Sequence, residues 1–213
     1  MKLWSGTLSP FSAKVRLALA EKGLRAELAE IPWSRATLWG PKPEAFLAVS
    51  SKGEVPALED GALAVVDSTV INEYLEDAFP APPLMPADAA GKAACRGWED
   101  RADTMMAMHV TTLIQQVFMI PDPADRDAAA VDEAMTAFAS YLDDLEAALG
   151  DREYLCGTFS LADIATWICL LFAGTLGVDS TGHTAVQAWS AGMSARPVFA
   201  AELESIMGAA AAA

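Results

Sequence analysis

The first 80 residues alternate between apolar spacings that are typical of strands and of helices. Lys2 to Ser5 is short and apolar, which predicts a first strand. Residues 10–22 then place their apolar side chains on one face at helical spacing. Residues 25–31 alternate with a period of two, which predicts a second strand. Glu44 to Val49 has the length of one or two helical turns.

A hairpin and a third helix follow. Asp60-Gly61 is a strong hairpin signal, and it separates two apolar runs at 55–59 and 62–66. Asp67 or Ser68 is then expected to cap a helix that contains Ile71 and Leu75. The predicted order is β-α-β-α-β-β-α, an α/β sandwich with one antiparallel hairpin.

The remainder of the chain has the pattern of helices. Prolines crowd residues 80–86, which predicts a linker. Helical spacing then covers 87–118, 124–149, a segment that starts at Ser160, 184–195 and 197–207. Ser160 and Asp163 form a capping box, which we interpret as structural. We therefore predict an α/β domain at 1–79 and an all-α domain at 87–213.

Charge and composition narrow the possible partners and location. The net charge of −15 argues against nucleic acid or an anionic membrane surface as a partner. Residues 1–80 carry 8 basic and 11 acidic side chains, so an anionic ligand is better placed there than in the more acidic remainder. No targeting segment is expected, and the longest apolar run, 164–174, is too short to span a membrane.

Cysteine and histidine usage indicates a reduced protein without a metal. Cys95, Cys156 and Cys169 are odd in number and far apart in sequence, without a CxxC motif or zinc spacing. His109 and His183 are the only histidines, and two isolated histidines give neither a catalytic triad nor a metal pair. We expect a cytoplasmic protein.

Ser9 is the first candidate for chemistry. Ser9 is a good N-cap, Pro10 suits the first helical position, and Gly23 suits the residue after the helix. A helix N-terminus also stabilises an anion through its free N–H groups and its dipole. Ser9 can therefore cap the helix, serve a bound anion, or do both.

Two further sites have a structural and a functional interpretation. Val55-Pro56 is either a simple turn or, with a cis peptide bond, a place where Val55 turns its backbone toward a ligand. Asp67-Ser68 is either an N-cap or an anion site in which Ser68 holds a carboxylate and Asp67 meets an ammonium. The second interpretation suits an α-amino acid terminus.

Methionines cluster on the long helix after the linker. Met105, Met106 and Met108 lie beside His109. Methionine clusters usually fill a core, but they also form adaptable surfaces for varied apolar ligands. Both interpretations remain open at this point.

Four segments in this order resemble the cytosolic glutathione transferases. They are SPFSAKVR at 9–16, KGEVPALEDG at 52–61, VDSTVINEYL at 66–75 and FSLADIA at 159–165. The resemblance implies a thioredoxin-like N-terminal domain, an all-α C-terminal helical bundle and a homodimer. It also implies glutathione as the co-substrate and a small hydrophobic electrophile as the second substrate.

The resemblance also implies roles for matching residues. Ser9 would be the catalytic thiolate donor, as in the serine-type bacterial members, with Ser12 as the second candidate. The backbone of Val55, before Pro56, would pair with the cysteinyl part of glutathione. Asp67 and Ser68 would hold its γ-glutamyl end. The placement of the long helix after the linker suggests in addition that Asp100 or Asp103 of the partner subunit lies near the ammonium.

The remaining implied positions concern the glutathione loop and the second substrate. Glu54 lies in the glutathione loop, where many relatives have Lys or Gln. Phe11, Met105, Met106 and His109 would line the electrophile pocket. The implied activity is glutathione transfer in detoxification. The alternatives are a glutathione-dependent isomerase, dehalogenase or disulfide reductase, or a non-catalytic binding or regulatory protein of the same fold.

Overall fold

The computed structural model describes residues 1–212, and Ala213, the last residue of the predicted second domain, lies outside the described residues. The chain forms two compact units. The first contains residues 1–84 and 196–212, and the second contains residues 85–195. The predicted boundaries at 1–79, 80–86 and 87–213 stay a prediction, although the described residues from 196 onward group with the first unit and not with the second.

The first unit contains a mixed four-stranded sheet and a small hairpin. Its strands are β1 (Lys2–Ser5), β2 (Glu27–Glu30), β3 (Trp33–Ser34), β4 (Leu38–Trp39), β5 (Ala57–Asp60) and β6 (Leu63–Val66). The sheet order is β2-β1-β5-β6, with β1 parallel to β2 and the other pairs antiparallel. Strands β3 and β4 pair separately within the segment 32–43, where only an irregular connection was expected.

Helices complete this unit. They are α1 (Pro10–Glu21), α2 (Glu44–Val49), α3 (Ser68–Ala78) and, from the end of the chain, α9 (Pro197–Ala212), which contacts α1. The predicted β-α-β-α-β-β-α order is confirmed, with the hairpin β3–β4 as an addition. One core cluster contains Trp4 of β1 and Phe46 of α2, whose ring centroids lie 5.4 Å apart.

The second unit is helical. Its helices are α4 (Ala89–Met105), the single turn α5 (Thr111–Leu113), α6 (Ala128–Leu149), α7 (Leu161–Thr175) and α8 (Thr184–Ser194). Two π-helical segments, Met106–Val110 and Ile114–Phe118, flank α5, so residues 89–118 form one interrupted helical run. The mixed-sheet unit and the helical unit together confirm the predicted fold class.

The capping box at α7 is also confirmed. The Ser160 side chain accepts from the Asp163 N–H, while the Asp163 Oδ2 accepts from the Ser160 N–H at 3.0 Å. Asp163 is fully buried, and its other oxygen accepts from the Leu155 N–H and from the Trp189 indole N–H. Asp163 therefore ties α7 to the preceding loop and to α8. Between residues 1 and 212, no helix has the length and apolar character needed to cross a membrane.

Candidate active site

Three chain segments meet at one end of the four-stranded sheet. Trp4 of β1 pairs with Ala57 of β5, and Ala57 pairs in turn with Val66 of β6. The residues that follow β1, precede β5 and follow β6 therefore leave the sheet at the same end. These residues include Ser9, Val55-Pro56 and Asp67-Ser68, so the register brings the predicted site residues to one edge.

Ser9 caps α1 and keeps its hydroxyl hydrogen free. Its φ of −89° and ψ of 118° are those of an N-cap, and its Oγ accepts from the Ser12 N–H at 3.2 Å. No acceptor for the Ser9 hydroxyl hydrogen is present among the described residues. Ser9 is 4% exposed. The hydroxyl can therefore donate to a ligand atom that reaches the start of α1.

Few backbone donors remain at the start of α1. Pro10 has no N–H, the Ser12 N–H is bound by Ser9 Oγ, and the Ala13 N–H is bound by the Ser9 carbonyl. In the part of the chain that the structure describes, the Phe11 N–H has no such partner. An anion at this position would meet one hydroxyl, one N–H and the helix dipole.

Ser12 is placed differently from Ser9. Ser12 is 0% exposed, and its Oγ accepts from the Gly6 N–H at 3.2 Å. This bond ties α1 to the turn that follows β1. The proposed role of Ser12 as an alternative donor stays a prediction, and its burial favours Ser9.

The loop that carries Ser9 is fixed by Arg16, which sequence reasoning did not assign to the site. The Arg16 guanidinium donates to the carbonyls of Gly6 at 3.0 Å and Thr7 at 3.1 Å and to Ser5 Oγ at 2.6 Å. Glu202 of α9 binds the same guanidinium at 2.5 Å. The sequence shows only a charged residue on an amphipathic helix, and the acceptors are revealed by the fold.

Val55 presents unpaired backbone groups. The Val55-Pro56 peptide bond is cis. Within residues 1–212, the N–H and the carbonyl of Val55 make no hydrogen bond. The Ser50 hydroxyl fixes the backbone of the preceding residue, Glu54. The Glu54 N–H donates to Ser50 Oγ at 3.1 Å, and the Glu54 carbonyl accepts from that hydroxyl at 2.9 Å. The Glu54 side chain is exposed.

Asp67 adopts a backbone conformation that residues other than glycine rarely take. Its φ is +77° and its ψ is 132°. The Asp67 Oδ1 accepts from the N–H groups of Thr69 at 2.9 Å and Val70 at 3.1 Å, which makes Asp67 the N-cap of α3. The second carboxylate oxygen of this exposed side chain stays available to a cation. Strained backbone of this kind concentrates at ligand sites.

Ser68 combines burial with unused hydrogen-bonding capacity. It is the first residue of α3 and is 3% exposed. Neither its hydroxyl nor its N–H has a hydrogen-bond partner within the described chain. Both donors are therefore available to a ligand that supplies an acceptor at the start of α3. A carboxylate at the N-terminus of α3 fits that need.

Lys42 adds a positive charge that sequence reasoning missed. A Cβ built on Gly53 would come within 3.0 Å of Lys42 Cδ and 3.1 Å of its Nζ, so the lysine side chain lies against the 50–54 loop. Gly53 has a φ of +66°, which glycine adopts without strain. The signal in the sequence is weak, because Lys42 lies in a proline-rich connection far from the other site residues.

The residues predicted to bind the electrophile have varied environments. Met106 is 1% exposed and lies in the core of the second unit, as methionine clusters usually do. Met105 is also buried, while His109 is half-buried and packs edge-on against Phe138 with ring centroids 6.4 Å apart. Phe11, in the first unit, is half-buried. The pocket that these four residues were predicted to line stays a prediction.

The two acidic residues that were predicted to lie near an ammonium are both on α4. Asp100 is exposed and Asp103 is half-buried. Their predicted role toward an ammonium stays a prediction. Residues 1–212 contain no group of three or more His, Cys, Asp or Glu side chains arranged to hold a metal ion.

Comparisons with known proteins identify the family to which the chain belongs. Residues 3–83 match the family described as glutathione S-transferase, N-terminal domain, and residues 102–197 match glutathione S-transferase, C-terminal domain. Glutathione S-transferase 3 of Zea mays is 31% identical over 207 residues, which cover 93% of this chain and 91% of the maize protein.

Solved structures agree with this assignment. The theta class glutathione S-transferase of Xanthomonas axonopodis pv. citri, solved with glutathione bound, superposes with a TM-score of 0.82 at 27% identity, covering 95% of this chain and 96% of that one. A glutathione S-transferase of Methylobacterium radiotolerans, in complex with glutathione sulfonate, has a TM-score of 0.78 at 31% identity and covers 95% and 93%. The similarity therefore extends over both units.

Proposed function

Because the chain belongs to the glutathione S-transferase family, we propose that it binds glutathione and activates the thiol for attack on small hydrophobic electrophiles. The observation that supports this most strongly is the buried Ser68, whose hydroxyl and N–H lack a partner within the described chain. Further unpaired groups lie at the same end of the sheet, at Val55 and Ser9.

Each of the three residues of glutathione carries polar groups that complement one part of this site. Its γ-glutamyl end carries a carboxylate and an ammonium on one carbon, which suit the Ser68 donors and the free Asp67 oxygen. Its cysteinyl backbone has one N–H and one carbonyl, which suit the unpaired carbonyl and N–H of Val55, beside Pro56. Its glycyl carboxylate suits Lys42, which also offsets the negative charge of Glu54 in the same loop.

The chemistry requires a thiolate next to Ser9. A free thiol has a pKa of about 8.5, and only the thiolate is a strong nucleophile. Lowering the pKa by one unit takes about 1.4 kcal/mol, and a hydrogen bond to a charged acceptor supplies about 1.5–3 kcal/mol. The Ser9 hydroxyl, the Phe11 N–H and the dipole of α1 together suffice for a shift of one to two units. Ser9 acts as a hydrogen-bond donor and leaves the attack to the thiolate.

The second substrate, the assembly and the location belong to the same proposal. A small hydrophobic electrophile would meet the thiolate near Phe11, Met105, Met106 and His109. A homodimer would bring Asp100 or Asp103 of the partner subunit to the ammonium. The protein would act in the cytoplasm, in detoxification, without a metal ion.

Calorimetric titration with reduced glutathione tests the binding site. Wild type should bind saturably, and Ser68→Ala should weaken binding about tenfold because a charged acceptor loses a donor. Ser205→Ala is the matched control, since Ser205 is an exposed serine on α9 of the same unit. The control should bind like wild type. Absence of heat at millimolar glutathione would refute the proposal.

The second candidate is a protein that binds glutathione without turning over a second substrate. The low exposure of Ser9, 4%, favours it, because the thiol must reach a hydroxyl that is nearly covered. The two candidates differ in one measurement. Ser9→Ala abolishes most turnover in a transferase, whereas a binding protein shows no turnover with any electrophile in a screen and the same glutathione affinity with and without the hydroxyl.

A further inference from the structure

The turn that carries Ser9 begins at Gly6, the residue after β1. The Ser9 N–H donates to the Gly6 carbonyl at 3.0 Å, which closes a four-residue turn over 6–9. The Gly6 N–H donates to Ser12 Oγ at 3.2 Å, and the Arg16 guanidinium donates to the same Gly6 carbonyl at 3.0 Å. Gly6 is buried. Because this bond joins the two ends of the turn, the position of Gly6 determines where Ser9 lies.

The indole ring of Trp39, on β4, lies against Gly6. A Cβ built on Gly6 would be 2.7 Å from Trp39 Cη2 and 3.0 Å from Cε3, and closer still to Cζ3. These three atoms belong to the six-membered half of the indole. The φ of Gly6 is not positive, so glycine is required here for space and not for backbone conformation. Any other residue would displace either the ring or the turn.

The core of the first unit holds Trp39 in place. Trp39 packs against the cluster that contains Trp4. The Gly40 N–H donates to the Pro32 carbonyl at 2.8 Å, which closes the β3–β4 hairpin next to Trp39. A ring that is fixed in this way cannot leave Gly6 unless the hairpin or the core also moves. Trp39 therefore transmits the position of the hairpin to the turn at Gly6.

The residue before Trp39 has a strained backbone. Leu38 has a φ of +56°, and its side chain is 54% exposed. Bulky residues rarely adopt a positive φ, and such strain is retained where the surrounding structure fixes it, often at functional sites. Leu38 buries little of its side chain in return. What this conformation provides is the direction in which the chain enters Trp39.

We propose that Trp39 is a positioning residue for Ser9, because its contact with Gly6 fixes the turn over 6–9 and thereby the place of the Ser9 hydroxyl. This inference rests on the proposed function, in which that hydroxyl donates to the thiolate of glutathione. A hydrogen bond weakens steeply when its distance or angle departs from the optimum. A misplacement of about 1 Å can cost up to about a hundredfold in rate. Trp39 acts through Gly6 and Ser9 and needs no contact with the thiol.

Trp39→Ala tests this role through the acidity of the bound thiol. We expect the pKa seen in the pH profile of kcat/KM to rise by about one unit, and kcat/KM at neutral pH to fall about tenfold. Glutathione affinity in calorimetry should change by less than about threefold, because the groups that bind its two ends are untouched. A residue that only packs the core would lower the stability to urea and leave the pH profile unchanged.

Gly6→Ala tests the same contact from the other side. The added methyl group would collide with Trp39 and displace the turn, so kcat/KM should fall at least about tenfold. In the Trp39→Ala background the space is open, and Gly6→Ala should then cause less than about a twofold further loss. Such non-additivity assigns both effects to the contact between Gly6 and Trp39.

Trp33→Ala is the matched control for the hairpin. Trp33 pairs with Trp39 across β3 and β4, whereas the three atoms nearest to a Cβ on Gly6 all belong to Trp39. The variant removes an indole from the same hairpin, and its pH profile of kcat/KM should match that of wild type. Where Trp39→Ala does not fold, Trp39→Leu keeps an apolar side chain against the core but ends short of Gly6.

Three results would overturn the role of Trp39 while the proposed function stands. They are a wild-type pH profile in Trp39→Ala, additive effects of Gly6→Ala and Trp39→Ala, and a shift in Trp33→Ala as large as that in Trp39→Ala. In each case wild type still binds and activates glutathione. A wild type that binds no glutathione would instead refute the proposed function, and the role of Trp39 with it. The wild-type titration therefore separates the two failures.

Discussion

A serine hydroxyl has one hydrogen and two lone pairs, so Ser9 can serve two partners at once. One lone pair accepts the Ser12 N–H and caps α1, while the hydrogen remains free for a thiolate. Cap and donor therefore depend on the same oxygen. Any substitution that tests the donor also removes the cap, and the two effects must be separated by a control.

Ser9→Ala should reduce turnover far more than binding. We expect kcat/KM for an electrophile to fall about tenfold to a hundredfold, and glutathione affinity to change by less than about threefold, because the lost bond of roughly 1.5–3 kcal/mol acts on the thiolate. The pKa seen in the pH profile of kcat/KM should rise by one to two units toward about 8.5, the value of a free thiol. Steady-state kinetics across pH measures both effects.

Asp88→Ala is the control for the lost cap. Asp88 caps α4 through the Gly91 N–H at 2.9 Å, much as Ser9 caps α1. Removing a cap costs about 0.5–2 kcal/mol of stability. If Asp88→Ala reduces kcat/KM as strongly as Ser9→Ala, the effect at Ser9 is one of stability and the donor role is wrong.

At Asp67, the effect of the carboxylate charge on glutathione binding can be measured separately from the effect of the N-cap on stability. Asn is an equally good N-cap and tolerates a positive φ better than most residues. Asp67→Asn should therefore keep stability within about 0.5 kcal/mol but weaken glutathione binding about tenfold, because the ammonium loses an anionic partner. A glutathione analogue that lacks the α-amino group should bind both proteins equally. An equal loss for glutathione and the analogue would contradict the proposed ammonium contact.

At the scale of the secondary-structure elements, the N-terminus of α8 is capped by a side chain from another helix. Its N-cap, His183, makes no side-chain cap bond. Instead, the Glu146 carboxylate from α6 accepts from the N–H groups of Ala185 and Val186, each at 3.0 Å, and from Thr184 Oγ1 at 3.2 Å. These bonds lower the pKa of Glu146 below its ordinary value of 4.5.

The cap of α8 should therefore weaken in acid. A carboxylate whose pKa is lower in the folded state stabilises the fold above its unfolded pKa, and this contribution is lost as the pH falls through the folded value. Glu146→Gln should be less stable than wild type at pH 7. The difference should shrink as the pH is lowered through and below 4.5, the ordinary value. Urea unfolding of both proteins between pH 3 and pH 7 measures it.

Glu133→Gln provides the reference for this pH series. Glu133 is an exposed carboxylate on the same helix α6. Its substitution should leave the stability of the protein nearly unchanged at each pH. A stability difference between Glu146→Gln and wild type that stays constant from pH 3 to pH 7 would show that the cap does not depend on the carboxylate charge.

The elements show which features a sequence can reveal. The capping box of α7 and the Asp60-Gly61 hairpin were predictable because their partners lie within four residues. The cap of α8 was not, because Glu146 lies 38 to 40 residues before the groups that it binds. The β3–β4 hairpin was missed because each strand has two residues, too few to show alternation.

The same limit applies to the candidate site. Ser9, Val55, Asp67 and Ser68 could be proposed from sequence because each is part of a local turn or cap. Arg16 and Lys42 could not, since their contacts depend on where α9 and the 50–54 loop lie in the folded first unit.

At the scale of the whole molecule, the end of the chain completes the first unit. Helix α9 follows the second unit in sequence but belongs with the residues of the first. Two ion pairs attach it to α1: Arg16 to Glu202 at 2.5 Å, and Arg196 to Glu21 at 2.8 Å. The apolar pattern of 197–207 predicted a helix, but it contained no indication of which unit that helix would join.

The Arg16–Glu202 pair connects α9 to the loop that carries Ser9. Both side chains are about nine-tenths buried, with 11% and 10% exposed. Glu202→Ala should leave a buried guanidinium with only its neutral acceptors at Ser5, Gly6 and Thr7, at a cost of about 3 kcal/mol in the free energy of unfolding. Urea denaturation measures this, with Glu204→Ala, an exposed glutamate on the same helix, as the control.

A double variant separates lost charge pairing from lost packing. Arg16→Met with Glu202→Leu replaces the pair by apolar side chains of similar size, which is often neutral for stability. We expect it to recover most of the stability that Glu202→Ala loses. It should still lower kcat/KM, because the carbonyls of Gly6 and Thr7 lose the donor that orients the Ser9 loop. Recovery of both stability and turnover would mean that Arg16 only holds α9 in place, and loss of turnover alone would identify it as a positioning residue for Ser9.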